Sequence, residues 1–192
     1  MHTYIAFFRG INVGGKNSLP MKDLTSIFEI LGASNAKTYI QSGNVVFQIA
    51  PKDISSFSKR LRIEIKEQRG FEPYILIIES SEVETAMKNN PFPEAESEPS
   101  SLHLGFLAFV PENPDLKKLE SLKKDNEQFC LIDRIFYLHA PEGVGRSKLA
   151  ASSEKLLGVP MTDRNWNTVC KLKEMATLFA LSPNKSQYTP TV

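Results

Sequence analysis

Between Arg9 and Asn17 the chain reads RGINVGGKN, three glycines and two cations within nine residues. Consecutive glycines let backbone amides approach a ligand closely, and amides flanked by a guanidinium and an ammonium suit a phosphate. Gly10, Gly15 and Lys16 fit G-x-x-x-x-G-K, the phosphate loop of nucleotide-hydrolysing proteins. Two features oppose that match. Asn17 stands where Ser or Thr would hold magnesium, and Pro20 would fall inside a helix that must start at the lysine. A proline there removes a hydrogen bond and costs about 3 kcal/mol or more. No matching strand ends in Asp; YILIIES offers only Glu79. A strand-to-helix connection with unusual backbone angles stands beside the ligand cradle as a second reading of the loop.

Other polar clusters have the same double character. Gln41-Ser42-Gly43-Asn44 lies between two strands, where it reads as a hairpin turn with Gly43 at positive φ. Amides and a hydroxyl there also suit base edges, ribose or a carboxamide. Arg164-Asn165-Trp166-Asn167 opens the last helix, with Asp163 or Asn165 as cap. Trp166 is either a core anchor or, beside Arg164, a stacking platform. Gly143-Val-Gly-Arg-Ser-Lys148 is a glycine-rich basic loop leading into a helix, which reads as a solvated, well-capped turn or as an anion receptor.

Hydrolytic chemistry finds little support. There is no G-x-S-x-G elbow, no H-E-x-x-H and no paired-carboxylate motif. His103 and His139 fall in predicted strands, as packed or solvent-facing residues, and Cys130 and Cys170 read as small buried hydrophobes. No C-x-x-C motif occurs, so neither a disulfide framework, a zinc site nor any other cofactor is expected. An RNA-recognition sheet needs aromatics on alternate residues, and GNVVFQ offers only Phe47.

The bulk properties agree with a globular chain. Of 192 residues, 41% are hydrophobic and 23% charged, with a net charge of +1. Residues 1–90 carry 11 basic and 9 acidic side chains (+2), residues 91–192 carry 12 and 13 (−1), so any anion site must be local. The first apolar run is too short for a signal peptide, and no stretch approaches the roughly 18 apolar residues of a membrane span. The expectation is a reduced, cytoplasmic protein whose partner is a small anionic ligand, with neither membrane nor nucleic acid involved.

The elements that must position these residues follow from periodicity. Tyr4–Phe8 reads as a central strand. Met21, Leu24, Ile27, Phe28 and Leu31 recur at helical spacing after Pro20, and Gly32 closes that helix. Strands at 37–40 and 44–49, a helix from Ile54 ended by Gly70 and a strand at 72–78 complete a β-α-β-β-α-β order. A short helix over 79–90 stops at Pro91. The same order returns from Leu102: a strand at 102–110, a helix from Asn113, strands at 129–132 and 134–139, a helix at 147–157, a strand at 159–164 and a last helix at 165–181. The predicted class is α+β: duplicated ferredoxin-like units, with mostly antiparallel sheets carrying helices on one face. The division reads as a first repeat over 1–90, a linker at 91–101, a second repeat with its C-terminal helix over 102–182, and a flexible tail at 183–192.

RGINVGGK followed by M-x-x-L, TYIQSGNVVF at 38–47, NPF at 90–92 and TDRNWNTVCKL at 162–172 occur in this order. Together they resemble a widespread bacterial family of conserved hypothetical proteins, a domain of unknown function with an N-terminal R-G-I-N-V-G-G motif and a C-terminal R-N-W-N-T-V motif. The resemblance implies a duplicated α+β fold with ferredoxin-like halves. It implies no established activity, so no catalytic residue follows from it.

The function expected is binding of a phosphate-bearing or nucleotide-like anion. The ligand-binding candidates are Arg9, Gly10, Asn12, Gly14, Gly15, Lys16, Gln41, Ser42, Asn44, Arg164, Asn165 and Trp166. An enzyme acting on a phosphorylated metabolite, and a protein-interaction or homodimerisation module, are the alternatives.

Overall fold

A computed structural model describes residues 1–41 and 43–181. Ser42 and the tail expected at 183–192 lie outside the described residues. The chain divides into two compact units: residues 1–80 with the end of the last helix from Leu172 on, and residues 81–171.

The first unit holds β1 (His2–Arg9), α1 (Met21–Ile30), β2 (Ser34–Tyr39), β3 (Asn44–Ile49), α2 (Ile54–Arg69) and β4 (Tyr74–Glu79). Its sheet runs β2-β3-β1-β4, and every neighbouring pair is antiparallel. This is the ferredoxin-like order. β1 is the central strand because Tyr4–Phe8 is apolar throughout and can be buried on both faces. Tyr4, Ala6 and Phe8 join a core with Leu24, Ile27 and Phe28 of α1 and Phe57, Leu61 and Ile65 of α2. Ile5 and Phe7, which alternate with them, are equally buried. Phe28, Phe47 and Phe57 form an aromatic cluster with ring centroids 4.9, 5.1 and 5.3 Å apart. α1 starts after Pro20, as the sequence predicts, and α2 ends at Gly70 in the left-handed region (φ 76°).

The second unit repeats the plan. α3 (Ser80–Lys88) leads through a 3₁₀ turn at Pro93–Ser97 into β5 (Leu102–Leu107), followed by α4 (Leu116–Leu122), β6 (Gln128–Ile132), β7 (Ile135–His139), α5 (Lys148–Leu157) and β8 (Met161–Asn165). The sheet order is β6-β7-β5-β8, again antiparallel throughout. Leu107, Leu119, Phe136, Leu138, Leu149 and Leu157 form its core. α6 (Trp166–Leu181) closes the described chain. No helix among the described residues is long and apolar enough to cross a membrane. Cys130 and Cys170 are half-buried and not joined in a disulfide.

Candidate functional site

The glycine loop is a built structure. Of the eight residues from 10 to 17, five have positive φ: Gly10, Asn12, Gly14, Gly15 and Asn17, at 70°, 54°, 59°, 73° and 52°. Glycine and asparagine are the residues that tolerate this region, which accounts for the composition of the motif. Val13 and Lys16 face each other as an isolated antiparallel bridge, and the Lys16 amide donates to the Val13 carbonyl at 3.1 Å. Gly14 and Gly15 are the central pair of this turn, both at positive φ as a type I′ turn requires.

Asn12 clamps the base. Its Nδ2 donates to the carbonyls of Leu19 (2.9 Å) and Gln41 (3.0 Å), and its Oδ1 accepts from the Leu19 amide (2.7 Å). Its own amide donates to the Asn17 carbonyl at 3.1 Å, and Asn17 Nδ2 donates to the Gly10 carbonyl at 2.8 Å. Ile11 and Leu19, both buried, tie the loop to the core. The turn itself is exposed, with Val13 65% accessible. Among the described residues the Gly14 and Gly15 amides have no protein acceptor. The Arg9 guanidinium lies over the Tyr74 ring, 5.4 Å from its centroid, so it is held along β4. Lys16 is exposed beside the turn.

The 40–44 segment is joined to this loop through the Gln41 carbonyl. Gly43 takes φ 77° as expected, and its carbonyl accepts from the Phe8 amide at 2.8 Å. A Cβ at Gly43 would stand 2.5 Å from Ile11 Cδ1 and 2.6 Å from Phe8 Cβ, so only glycine fits. Ile40 also has positive φ (51°), a costly conformation for a β-branched side chain, and is half exposed. Asn44 is fully buried, and its Nδ2 donates to the Tyr39 carbonyl at 3.2 Å. The structure thus brings Gly10, Asn12, Gly14, Gly15, Lys16 and Gln41 into one loop pair, with Arg9 and Asn44 on the adjoining strands.

Arg164, Asn165 and Trp166 belong to the second unit. Asn165 caps α6, its Oδ1 accepting from the Thr168 amide at 3.0 Å. Trp166 is 5% exposed and belongs to the core. Arg164 Nη1 donates to the Asp163 carbonyl at 2.8 Å. The sequence reading missed a pairing on the neighbouring strand: His103 Nδ1 lies 2.7 Å from Asp163 Oδ2, and His103 Nε2 lies 3.2 Å from the Ser100 carbonyl. Sixty residues separate the two partners in the chain, so only the β5–β8 pairing reveals them. Burial opposes the charged imidazole, but the hydrogen bond and charge of Asp163 and the Ser100 carbonyl outweigh it and raise the His103 pKa. Among the described residues no three His, Cys, Asp or Glu side chains gather as a metal site would need.

Comparison with known proteins agrees with this architecture. The solved structure of a conserved bacterial protein, SP0830 from Streptococcus pneumoniae, is similar over 91% of this chain and 98% of that chain, with a TM-score of 0.62 and 27% identity. No curated protein matches. Residues 1–137, from β1 into β7, match a family described only as a protein of unknown function. The chain belongs to that family, DUF1697.

Proposed function

We propose that the chain is a binding protein for a small phosphate-bearing anion, received on the Gly14–Gly15 turn with Lys16 supplying the charge. One observation carries this reading: two adjacent amides without a protein acceptor among the described residues sit beside an exposed ammonium on a turn fixed from below by Asn12. Fixed donors lose little freedom when an anion arrives, which is how preorganisation turns weak contacts into affinity. Strain points the same way. Ile40 holds an unfavourable conformation one residue before Gln41, whose carbonyl joins this segment to the base of the loop, and such residues, each costing about 1–3 kcal/mol, gather at recognition sites. The reading rests on the first unit alone. The four ordered sequence motifs are taken as a family signature, the last of them lying beyond the matched residues.

Thermal denaturation with inorganic phosphate and with ATP tests the proposal. A ligand that binds only the folded state raises its stability with concentration. Wild type is expected to gain stability and Lys16→Ala to lose that gain. No gain with either compound at millimolar concentration rejects the reading.

A second reading, a protein-interaction surface, is favoured by the exposed apolar side chains of Val13 (65%) and Ile40 (50%) on the same loop pair. It predicts that Val13→Ser, which removes apolar surface without adding a charge, changes sedimentation. An enzyme acting on a phosphorylated metabolite differs from both in forming product.

A further inference from the structure

The glycine-rich basic loop at residues 143–148 is not used by the reading above, and the second unit gives it a setting. Lys124, Arg146 and Lys148 line one pocket of about 360 Å³ together with Ser121 and Leu122. Chain order does not bring these residues together. Ser121 and Leu122 end α4, Lys124 lies in the turn before β6, and Arg146 and Lys148 flank the start of α5.

Each cation stands on backbone held by a buried polar residue. Glu127 is 3% exposed; its Oε2 accepts from the Lys124 amide at 3.0 Å, and its own amide donates to the Lys124 carbonyl at 3.0 Å. Ser147, also 3% exposed, sits between Arg146 and Lys148, and its Oγ accepts from the Ala150 amide at 3.0 Å. The backbone that carries the three positive groups is therefore held around a common space, where their like charges add unless acidic groups offset them. Lys124 has one acidic partner, Glu142, at 2.7 Å. Hydrogen bonds from Lys124 and Asn126 hold the Glu142 carboxyl below its ordinary pKa. Arg146 and Lys148 have no acidic partner among the described residues.

We propose that this pocket binds the diphosphate, or two neighbouring phosphate groups, of a small metabolite. Its volume falls in the range of small-ligand sites. Three cations match the two to three negative charges of a diphosphate, Arg146 can engage phosphate oxygens in a two-pronged geometry, and Lys124 and Lys148 act as point charges. The Ser121 hydroxyl, which donates its proton to the Lys118 carbonyl at 2.8 Å, offers an acceptor, and the Leu122 side chain an apolar wall, for the rest of the ligand. Glu142 is a competitor that an entering anion displaces from Lys124.

Isothermal titration of the full chain with pyrophosphate at low ionic strength, with inorganic phosphate in parallel, tests the proposal. Pyrophosphate is expected to bind more tightly than phosphate. The Arg146→Ala/Lys148→Ala double variant is expected to bind it about tenfold or more weakly. Lys155→Ala, which removes an exposed cation of α5 outside the pocket, shows the effect of a charge lost elsewhere on the same helix and is expected to bind like wild type. Glu142→Gln frees Lys124 and is expected to tighten binding, a gain that no folding defect can mimic. Absence of pyrophosphate binding in wild type, or equal affinity in the double variant and in Lys155→Ala, overturns the proposal. Binding lost in Lys16→Ala but kept in the double variant also overturns it, and assigns the anion to the glycine turn instead.

Discussion

His103 and Asp163 face each other diagonally across β5 and β8, Nδ1 to Oδ2 at 2.7 Å, while the other ring nitrogen of His103 meets the Ser100 carbonyl. Both partners only accept hydrogen bonds, so the ring satisfies both contacts only when it is doubly protonated. Burial alone would lower its pKa, but Asp163 and the Ser100 carbonyl reverse that and raise it above 6.5. A folded-state pKa above the unfolded one contributes stability that is fully present below about pH 6.5 and is lost as pH rises through the folded value. Unfolding free energies measured from pH 5.5 to 8.5 are therefore expected to fall more in wild type than in His103→Gln. An NMR titration placing the His103 pKa at or below 6.5 would contradict this assignment.

The Asn12 clamp makes a sharper prediction, because both ends of its amide are used. Asn12→Ala leaves the Leu19 amide without its acceptor and places alanine at φ 54°. A lost partner for a part-buried donor costs about 1–3 kcal/mol and the left-handed conformation about 1–2 kcal/mol, so urea denaturation is expected to show a loss of about 2–5 kcal/mol. Asn12→Asp keeps shape and acceptor but turns a carboxylate oxygen toward the carbonyls of Leu19 and Gln41. It is expected to destabilise strongly at pH 7 and less at pH 4, where the acid can donate. A pH-independent effect would show that Asn12 is not oriented as described.

The sequence made the elements legible because their signals are local. The apolar run Tyr4–Phe8, the helical stripe from Met21 to Leu31 and the glycine stops at 32, 70 and 158 each act over a few residues, and the two β-α-β-β-α-β orders follow from counting them. The interior of the glycine loop was not legible. Its positive-φ asparagines look like any polar loop residue until Asn12 is seen bonded to residues 7 and 29 positions away. The basic pocket shows the same limit. Arg146 and Lys148 stand out in the chain, but Lys124 joins them only through the packing of α4 on α5.

Two glycines separate backbone strain from simple crowding. At Gly43 a Cβ meets Phe8 Cβ at 2.6 Å, an atom fixed to a central strand, and the residue sits at φ 77°. At Gly105 a Cβ meets Met161 Sδ, but φ is not positive there and the obstacle is a flexible, half-buried side chain. Gly43→Ala is expected to cost about 2–5 kcal/mol, combining conformation and overpacking, and Gly105→Ala less, about 1–2 kcal/mol. Equal losses in thermal or urea unfolding would mean that the 40–44 turn yields more readily than its contacts imply.

Trp166 decides between a core anchor and a stacking platform at the start of α6. It is the only tryptophan of the chain and is 5% exposed, so its emission reports on this one site. A buried indole is expected to emit at shorter wavelength than free tryptophan, to resist quenching by acrylamide and to shift to the red on unfolding. Trp166→Ala removes a large buried ring and is expected to cost about 3–5 kcal/mol, with Trp166→Phe losing distinctly less because much of the apolar volume remains. A platform would behave in the opposite way. Its ring would be quenched readily in the native state, and alanine there would leave stability almost unchanged while weakening binding of an aromatic ligand. Ready quenching in the folded protein would therefore remove Trp166 from the core and return it, with Arg164, to the ligand-contacting residues.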